Sequence, residues 1–340
     1  MMSQMTEGQY ELGDFALQNG QVLRDAFIGY ATYGDLNDAA DNVIIFPTWY
    51  TGTHHGVDPY IGEGKALDPS LYFIVVPDMF TNGYSTSPSN AIGSANGLEF
   101  PLVTPFDNVA AQRRLLLEHF RITSIELMVG FSMSGQQAYH WGALHSDIVR
   151  RICSICGTAR TSPHNWAMLH AYKSAMEASA DWDAEGHKSW TPEIMTLVSS
   201  IGATMAMSQD WYRDGLHLTD EVASVADVIS NLSQLFEQWV PADLYAQTLT
   251  WMSADVSANE TFNGDLESAL KAIEVPALLM PCDTDMYFRV KDNEAELSLM
   301  PNASMKVIHS KWGHMAGMPG ANPDDDRFID QALATFLEGR

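Results

Sequence analysis

One stretch constrains this chain more than any other: Ile125-Glu126-Leu127-Met128-Val129-Gly130-Phe131-Ser132-Met133-Ser134-Gly135. Its apolar, β-forming half reads as a buried strand. It breaks at small residues and continues with Tyr139, Trp141 and Leu144 at helical spacing. Strand, sharp turn with serine, helix is the layout of a nucleophile elbow, in which small neighbours permit the strained turn that exposes the serine oxygen. The expected spelling is G-x-S-x-G. Here Gly130-Phe131-Ser132-Met133-Ser134 ends in serine, with Gly135 one place later. Taken alone, the pentapeptide reads equally well as a turn serine capping a core helix, so the rest of the chain has to decide.

The surrounding pattern supplies a sheet for that elbow. Tyr10 to Leu17 and Ala26 to Tyr33 alternate apolar and polar residues, as an antiparallel pair at a sheet edge does. Asn42 to Pro47, Leu71 to Asp78 and Ile152 to Cys156 are short continuous apolar runs, suited to strands covered on both faces. Phe106 to Phe120 carries helical spacing into the elbow strand. From about Arg160 to Ala272 the pattern is helical, rich in Met and Trp, with Ser, Asp and Gly breaks. Strands resume at Val275 to Met280 and Ser304 to His309, and Phe328 to Leu337 closes the chain as a helix. Strands alternating with helices imply an α/β fold, a mostly parallel sheet flanked by helices, with a helical lid inserted between two strands. The expected division is a core in two parts, residues 1–159 and 273–340, around a lid at 160–272.

A serine hydroxyl is a poor nucleophile until a base takes its proton and a carboxylate holds that base in one tautomer. In this topology the partners follow the serine in the order acid then histidine, each in a loop just after a strand. Cys282-Asp283-Thr284-Asp285 and Ser310-Lys311-Trp312-Gly313-His314 fall in those two loops. The reading is therefore Ser132 as nucleophile, His314 as base and Asp285 as its orienting acid, with Asp283 the competitor for the acid role. The oxyanion of a tetrahedral intermediate needs backbone donors: Met133, the residue after the serine, and either Trp49 or Tyr50 in the loop after the Asn42 to Pro47 strand.

Composition removes other classes. Eighteen Lys+Arg against 43 Asp+Glu give a formal charge of −25, a field that repels nucleic acid and anionic membranes. No apolar stretch approaches the length of a membrane span, and no secretory signal is visible at the start. Cys153 and Cys156 spell C-x-x-C within a strand, where residues three apart face opposite ways. Buried thiols in a reducing cytoplasm are expected, rather than a disulfide or a metal pair. No cluster has metal-ligand spacing, His54 and His55 included, and no Gly-rich loop has the spacing of a nucleotide site, so neither metal nor cofactor is expected.

With these residues in place, the chain resembles the homoserine O-acetyltransferase family of α/β-hydrolase-fold enzymes over nearly its whole length. Tyr33-Gly34-Asp35-Leu36-Asn37 resembles the family's early Tyr-Gly-x-Leu-Asn segment, and Thr51-Gly52 keeps the end of its oxyanion loop. Ser132-Met133-Ser134-Gly135 stands for Ser-Met-Gly-Gly, Thr284-Asp285 for Ser-Asp, and Gly313-His314 for Gly-His. The resemblance implies the α/β-hydrolase fold, favours Asp285 over Asp283, and implies a homodimer. It also exposes departures. The family places Asp after the catalytic His for the homoserine ammonium, and here that position is Met315. Its carboxylate-binding Arg, seven residues before a Tyr, becomes Met205 if Tyr212 is that Tyr, or Met207 on a two-residue shift. A site that loses both charged partners disfavours a zwitterion. Met205, Met207, Tyr212 and Met315 are therefore expected to line a pocket for small apolar esters, acetyl esters first, cleaved through an acyl-enzyme. The rival expectation is acetyl transfer from acetyl-CoA to an alcohol.

Overall fold

The computed structural model describes residues 5–92, 99–178 and 190–339. The chain opens with a long antiparallel hairpin, β1 (Thr6–Ala16) and β2 (Val22–Tyr33), whose register shifts around Gly13. Short, fully buried strands follow: β3 (Val43–Ile45), β4 (Phe73–Pro77), β5 (Leu127–Phe131), β6 (Ile152–Ile155) and β7 (Ala277–Met280), then the more exposed β8 (Ala303–Met305). They form one sheet in the order β1-β2-β4-β3-β5-β6-β7-β8, parallel from β4 onward. Alternate residues feed two cores. Ile44, Ile74, Leu127, Val129, Leu278 and Met280 pack on one face; Val43, Ile45, Val75, Met128, Ile152 and Leu279 pack on the other. A sheet covered on both faces explains why these strands read as unbroken apolar runs.

The helices are α1 (Pro105–Arg114), α2 (Met133–Leu144), α3 (Pro163–Glu177), α4 (Pro192–Ala206), α5 (Gln209–Arg213), α6 (Val225–Phe236), α7 (Pro241–Met252), α8 (Leu266–Lys271), α9 (Val290–Leu297) and α10 (Pro323–Glu338). Helices α3 to α8 lie in the segment joining β6 to β7. The polar breaks in that segment are N-caps: Ser162, Thr191, Ser208, Ser224 and Asp265 each accept from the amide three residues on. Such caps contribute about 1 kcal/mol each. Among the described residues no helix is long and apolar enough to cross a membrane.

Two details depart from the sequence reading. The last strand is shorter than Ser304 to His309. The β7–β8 ladder stops near Met305 because Pro281 has no N–H to continue it, and a single bridge between Cys282 and Ile308 resumes beyond. The C-x-x-C thiols do not face opposite ways: β6 ends at Ile155 and Cys156 turns at φ 46°, so Cys153 and Cys156 border the same core. Both are free and buried, as is Cys282.

Candidate active site

Parallel strands put their carboxyl ends on one rim, and the chain delivers its reactive groups there. Ser132 sits between β5 and α2 at φ 59°, ψ −124°, a conformation that costs a non-glycine residue about 1–3 kcal/mol. Gly130 makes room for it. A Cβ at that position would lie 2.3 Å from the Ser134 backbone carbonyl and from its hydroxyl, so the first turn of α2 closes over β5 only with glycine there. The Ser132 amide donates to the Ile155 carbonyl (2.9 Å), which ties the turn to β6.

The loop after β7 brings Asp285, and the loop after β8 brings His314. His314 Nε2 lies 2.9 Å from Ser132 Oγ, and His314 Nδ1 lies 2.8 Å from Asp285 Oδ2. The other Asp285 oxygen accepts from the amides of Tyr287 (2.7 Å) and Phe288 (3.2 Å), which fixes the carboxylate in one orientation. Thr284 joins the two loops: its hydroxyl donates to the Ser310 carbonyl (2.6 Å) and accepts from the Gly313 amide (3.1 Å). Gly313, at φ 63°, admits the end of α4, since a Cβ there would stand 2.8 Å from the Ala206 carbonyl oxygen. The His314 ring stacks on Phe131 with centroids 4.7 Å apart and meets the edge of Tyr287 at 4.8 Å. All three polar groups are buried. Asp283, the competing carboxylate, faces outward instead and pairs with exposed His309 at 2.8 Å.

Cys156, read from the sequence only as a buried thiol, sits beside this line. A donor atom from each of Cys156, Asp285 and His314 lies within 4.8 Å of the others. Burial pushes the Cys156 thiol well above its ordinary value, so it stays a neutral S–H beside the carboxylate. With its thiol held neutral and all three groups buried, the trio lacks the thiolate and the solvent opening that a metal site takes.

The expected oxyanion donors stand in the two segments flanking Ser132 in the lining of a cavity. Met133 is the first residue of α2, where helix amides have no intrahelical acceptor. In the loop after β3, the Thr48 amide is taken by the Pro77 carbonyl (3.1 Å), the Thr51 amide by the Gln247 side chain (3.1 Å) and the Gly52 amide by the Trp49 carbonyl (2.8 Å). Trp49 N lies beneath the Gly52 turn, 3.0 Å from where a Cβ on Gly52 would stand. Trp49 and Tyr50 both line that cavity beside Ser132.

A cavity of about 120 Å³ opens onto Ser132 and His314. Met315 lines it; Met205, Met207 and Tyr212 do not. The pocket expectation for those three is corrected. Met207 packs with Trp211 and Val228, the Tyr212 hydroxyl donates to the Ala203 carbonyl (2.6 Å), and Met205 packs against the main core. The segment between β6 and β7 instead presents Gly202 and Ala206 of α4 and Leu232, Leu235 and Phe236 of α6. Their spacing, one helical turn apart, is the signal that could have found them. Among the described residues no Asp, Glu, Lys or Arg side chain lines the cavity. Arg213, the cation nearest in sequence, is exposed and paired with Asp210 and Asp214.

A buried serine, imidazole and carboxylate in one hydrogen-bonded line, with the serine at the start of a helix, can move a proton off the hydroxyl. That is the equipment of acyl transfer. A family model described as the alpha/beta hydrolase fold matches residues 41–321, and the chain belongs to that family. It is 36% identical to a probable esterase from Corynebacterium glutamicum over 98% of this chain and 97% of that one. It is 34% identical to an ethyl acetate hydrolase from Pseudomonas veronii, over 97% and 95%. The crystal structure of an acetylester hydrolase from Corynebacterium glutamicum superposes with a TM-score of 0.91 at 33% identity, covering 98% of this chain and 96% of that one. Homoserine O-acetyltransferases are more distant relatives; that of Trichormus variabilis is 26% identical over 93% of this chain and 90% of its own.

Proposed function

We propose that this protein is a serine carboxylic ester hydrolase acting on small, apolar esters, acetyl esters first. Ser132 Oγ attacks the ester carbonyl while His314 Nε2 takes its proton. The amides of Met133 and of Trp49 or Tyr50 hold the oxyanion. The tetrahedral intermediate collapses, the C–O bond to the alcohol breaks, and His314 returns the proton to the leaving oxygen. Water then attacks the acyl-enzyme by the same relay, releasing carboxylate and free Ser132. Asp285 keeps His314 in the tautomer that can accept the proton. The helices between β6 and β7 act as a lid over this chemistry.

The observation that carries the reading is the lining of the cavity: apolar and aromatic, with Met315 beside His314 and, among the described residues, no ionised partner for a zwitterion. An ammonium or carboxylate placed there would be desolvated without compensation. The esterase relatives support hydrolysis over transfer. The three free buried thiols support a cytoplasmic setting. Exposed Leu197, Leu216, Leu218 and Val225 of the lid support association of two copies.

The test is a graded series of 4-nitrophenyl esters beside a transfer assay. We expect kcat/KM to be highest at acetate and to fall steeply as the acyl chain outgrows the cavity. With acetyl-CoA and homoserine we expect no O-acetylhomoserine. Homoserine acetylation faster than acetyl ester hydrolysis would overturn the assignment in favour of an O-acyltransferase.

A further inference from the structure

Away from the catalytic cavity, three side chains from two distant parts of the chain converge at the edge of the sheet. Glu7 stands on β1, the edge strand. His54 and His55 open the short helical turn at His54–Tyr60, just past the Tyr50–Gly52 loop. Glu7 Oε1 lies 3.2 Å from His54 Nε2 and 3.3 Å from His55 Nε2. One donor atom from each of the three falls within 4.8 Å of the others, and the two imidazole centroids are 4.4 Å apart. None of the three lines the catalytic cavity.

These separations have the size of a metal coordination sphere. Ligands on a tetrahedral zinc ion, at bonds of about 2.0–2.1 Å, stand roughly 3.3 Å from one another. The donor set of two imidazoles and one carboxylate suits zinc and its late first-row neighbours rather than calcium or magnesium, which take oxygen ligands. The support behind the set is the second observation. His54 Nδ1 lies 2.5 Å from Oδ2 of Asp78, a carboxylate with no exposed surface. Asp78 is itself held by the Asn82 side chain (2.8 Å) and the His54 amide (3.2 Å). A buried carboxylate that accepts from Nδ1–H fixes the imidazole with Nε2 facing Glu7, the support that metal-ligating histidines commonly have. Without metal, Nε2–H donates to the Glu7 carboxylate, and a metal ion would displace that proton. Glu7 and His55 are about half exposed, which leaves a side open to solvent for entry and for a water ligand. Sequence spacing hides the set, because Glu7 and His54 are 47 positions apart.

The geometry points to a divalent transition-metal site, zinc first, formed by Glu7, His54 and His55 with Asp78 behind His54. Bound there, the ion clamps the edge hairpin to the segment that follows the Tyr50–Gly52 loop. The inference is independent of the catalytic reading.

The experiment titrates chelator-treated protein with zinc by calorimetry and follows the melting temperature. Cobalt serves as a spectroscopic substitute. We expect one zinc per chain, a melting temperature that rises with zinc, and visible cobalt bands of the intensity that four-coordinate sites give. Glu7→Gln and His55→Ala both change exposed side chains, and their folding is checked by circular dichroism. Each should weaken zinc binding at least about tenfold. Absence of one-to-one binding in the wild-type protein, or undiminished zinc affinity in either folded variant, overturns the site.

Discussion

Asp285→Asn separates geometry from chemistry at the level of one atom. The amide keeps the shape and still accepts from the Tyr287 and Phe288 amides through Oδ1. It presents an N–H to His314 where a carboxylate oxygen stood, and so favours the tautomer protonated on Nε2, which cannot take the serine proton. We expect kcat on 4-nitrophenyl acetate to fall by about 10⁴-fold with the fold intact by circular dichroism. A loss under tenfold would remove Asp285 from the relay. The placement of this residue was legible in the sequence, because topology dictates which loops hold the acid and the base. The role of Thr284 as the clasp between those loops, and the swing of Cys156 toward Asp285, were not. Both depend on where a strand stops, and strand ends here are set by Pro281 and by the left-handed turn at Cys156.

At the scale of elements, the helices between β6 and β7 were readable as helices because most of their N-caps are written in Ser, Thr and Asp. Which face each turns toward the serine was not. Met205 comes from alignment with the family's Arg, which says nothing of helix facing, whereas Gly202 and Ala206, a turn apart on α4, are the residues of that helix that line the cavity. The attachment of α7 makes a pH prediction. Asp243, near the start of that helix, accepts from the Ser89 amide (2.9 Å) and hydroxyl (2.6 Å), yet burial pushes its carboxyl up to about 6. Between its ordinary value near 4 and about 6, the folded chain keeps a proton that the unfolded chain has released. Its contribution to stability is therefore largest in acid and is lost as pH rises through that window, by up to about 3 kcal/mol. Asp243→Asn does not titrate. The wild-type melting temperature minus that of the variant should fall from pH 4 to pH 6.5 and then level off. A difference that stays constant over that range would show that the carboxyl does not titrate there.

Over the whole molecule, an excess of 25 negative charges opposes compaction. The melting temperature should rise between about 10 mM and about 1 M sodium chloride, as the screening length shrinks from about 30 Å to about 3 Å. A flat or falling profile would mean that local pairing already neutralises the field. The same scale explains why one turn exposed so much of the fold. A strand–serine–helix elbow functions only at the rim of a parallel sheet, and that sheet fixes the order in which its partners arrive along the chain. The measurement that bears most directly on this account is covalent labelling with a fluorophosphonate, followed by peptide mapping and parallel assay of acetyl ester hydrolysis. The prediction is a single adduct on Ser132 that accumulates in step with the loss of activity, and no labelling and no turnover in Ser132→Ala. Hydrolysis that persists after Ser132 is fully modified, or in the Ser132→Ala variant, would contradict it.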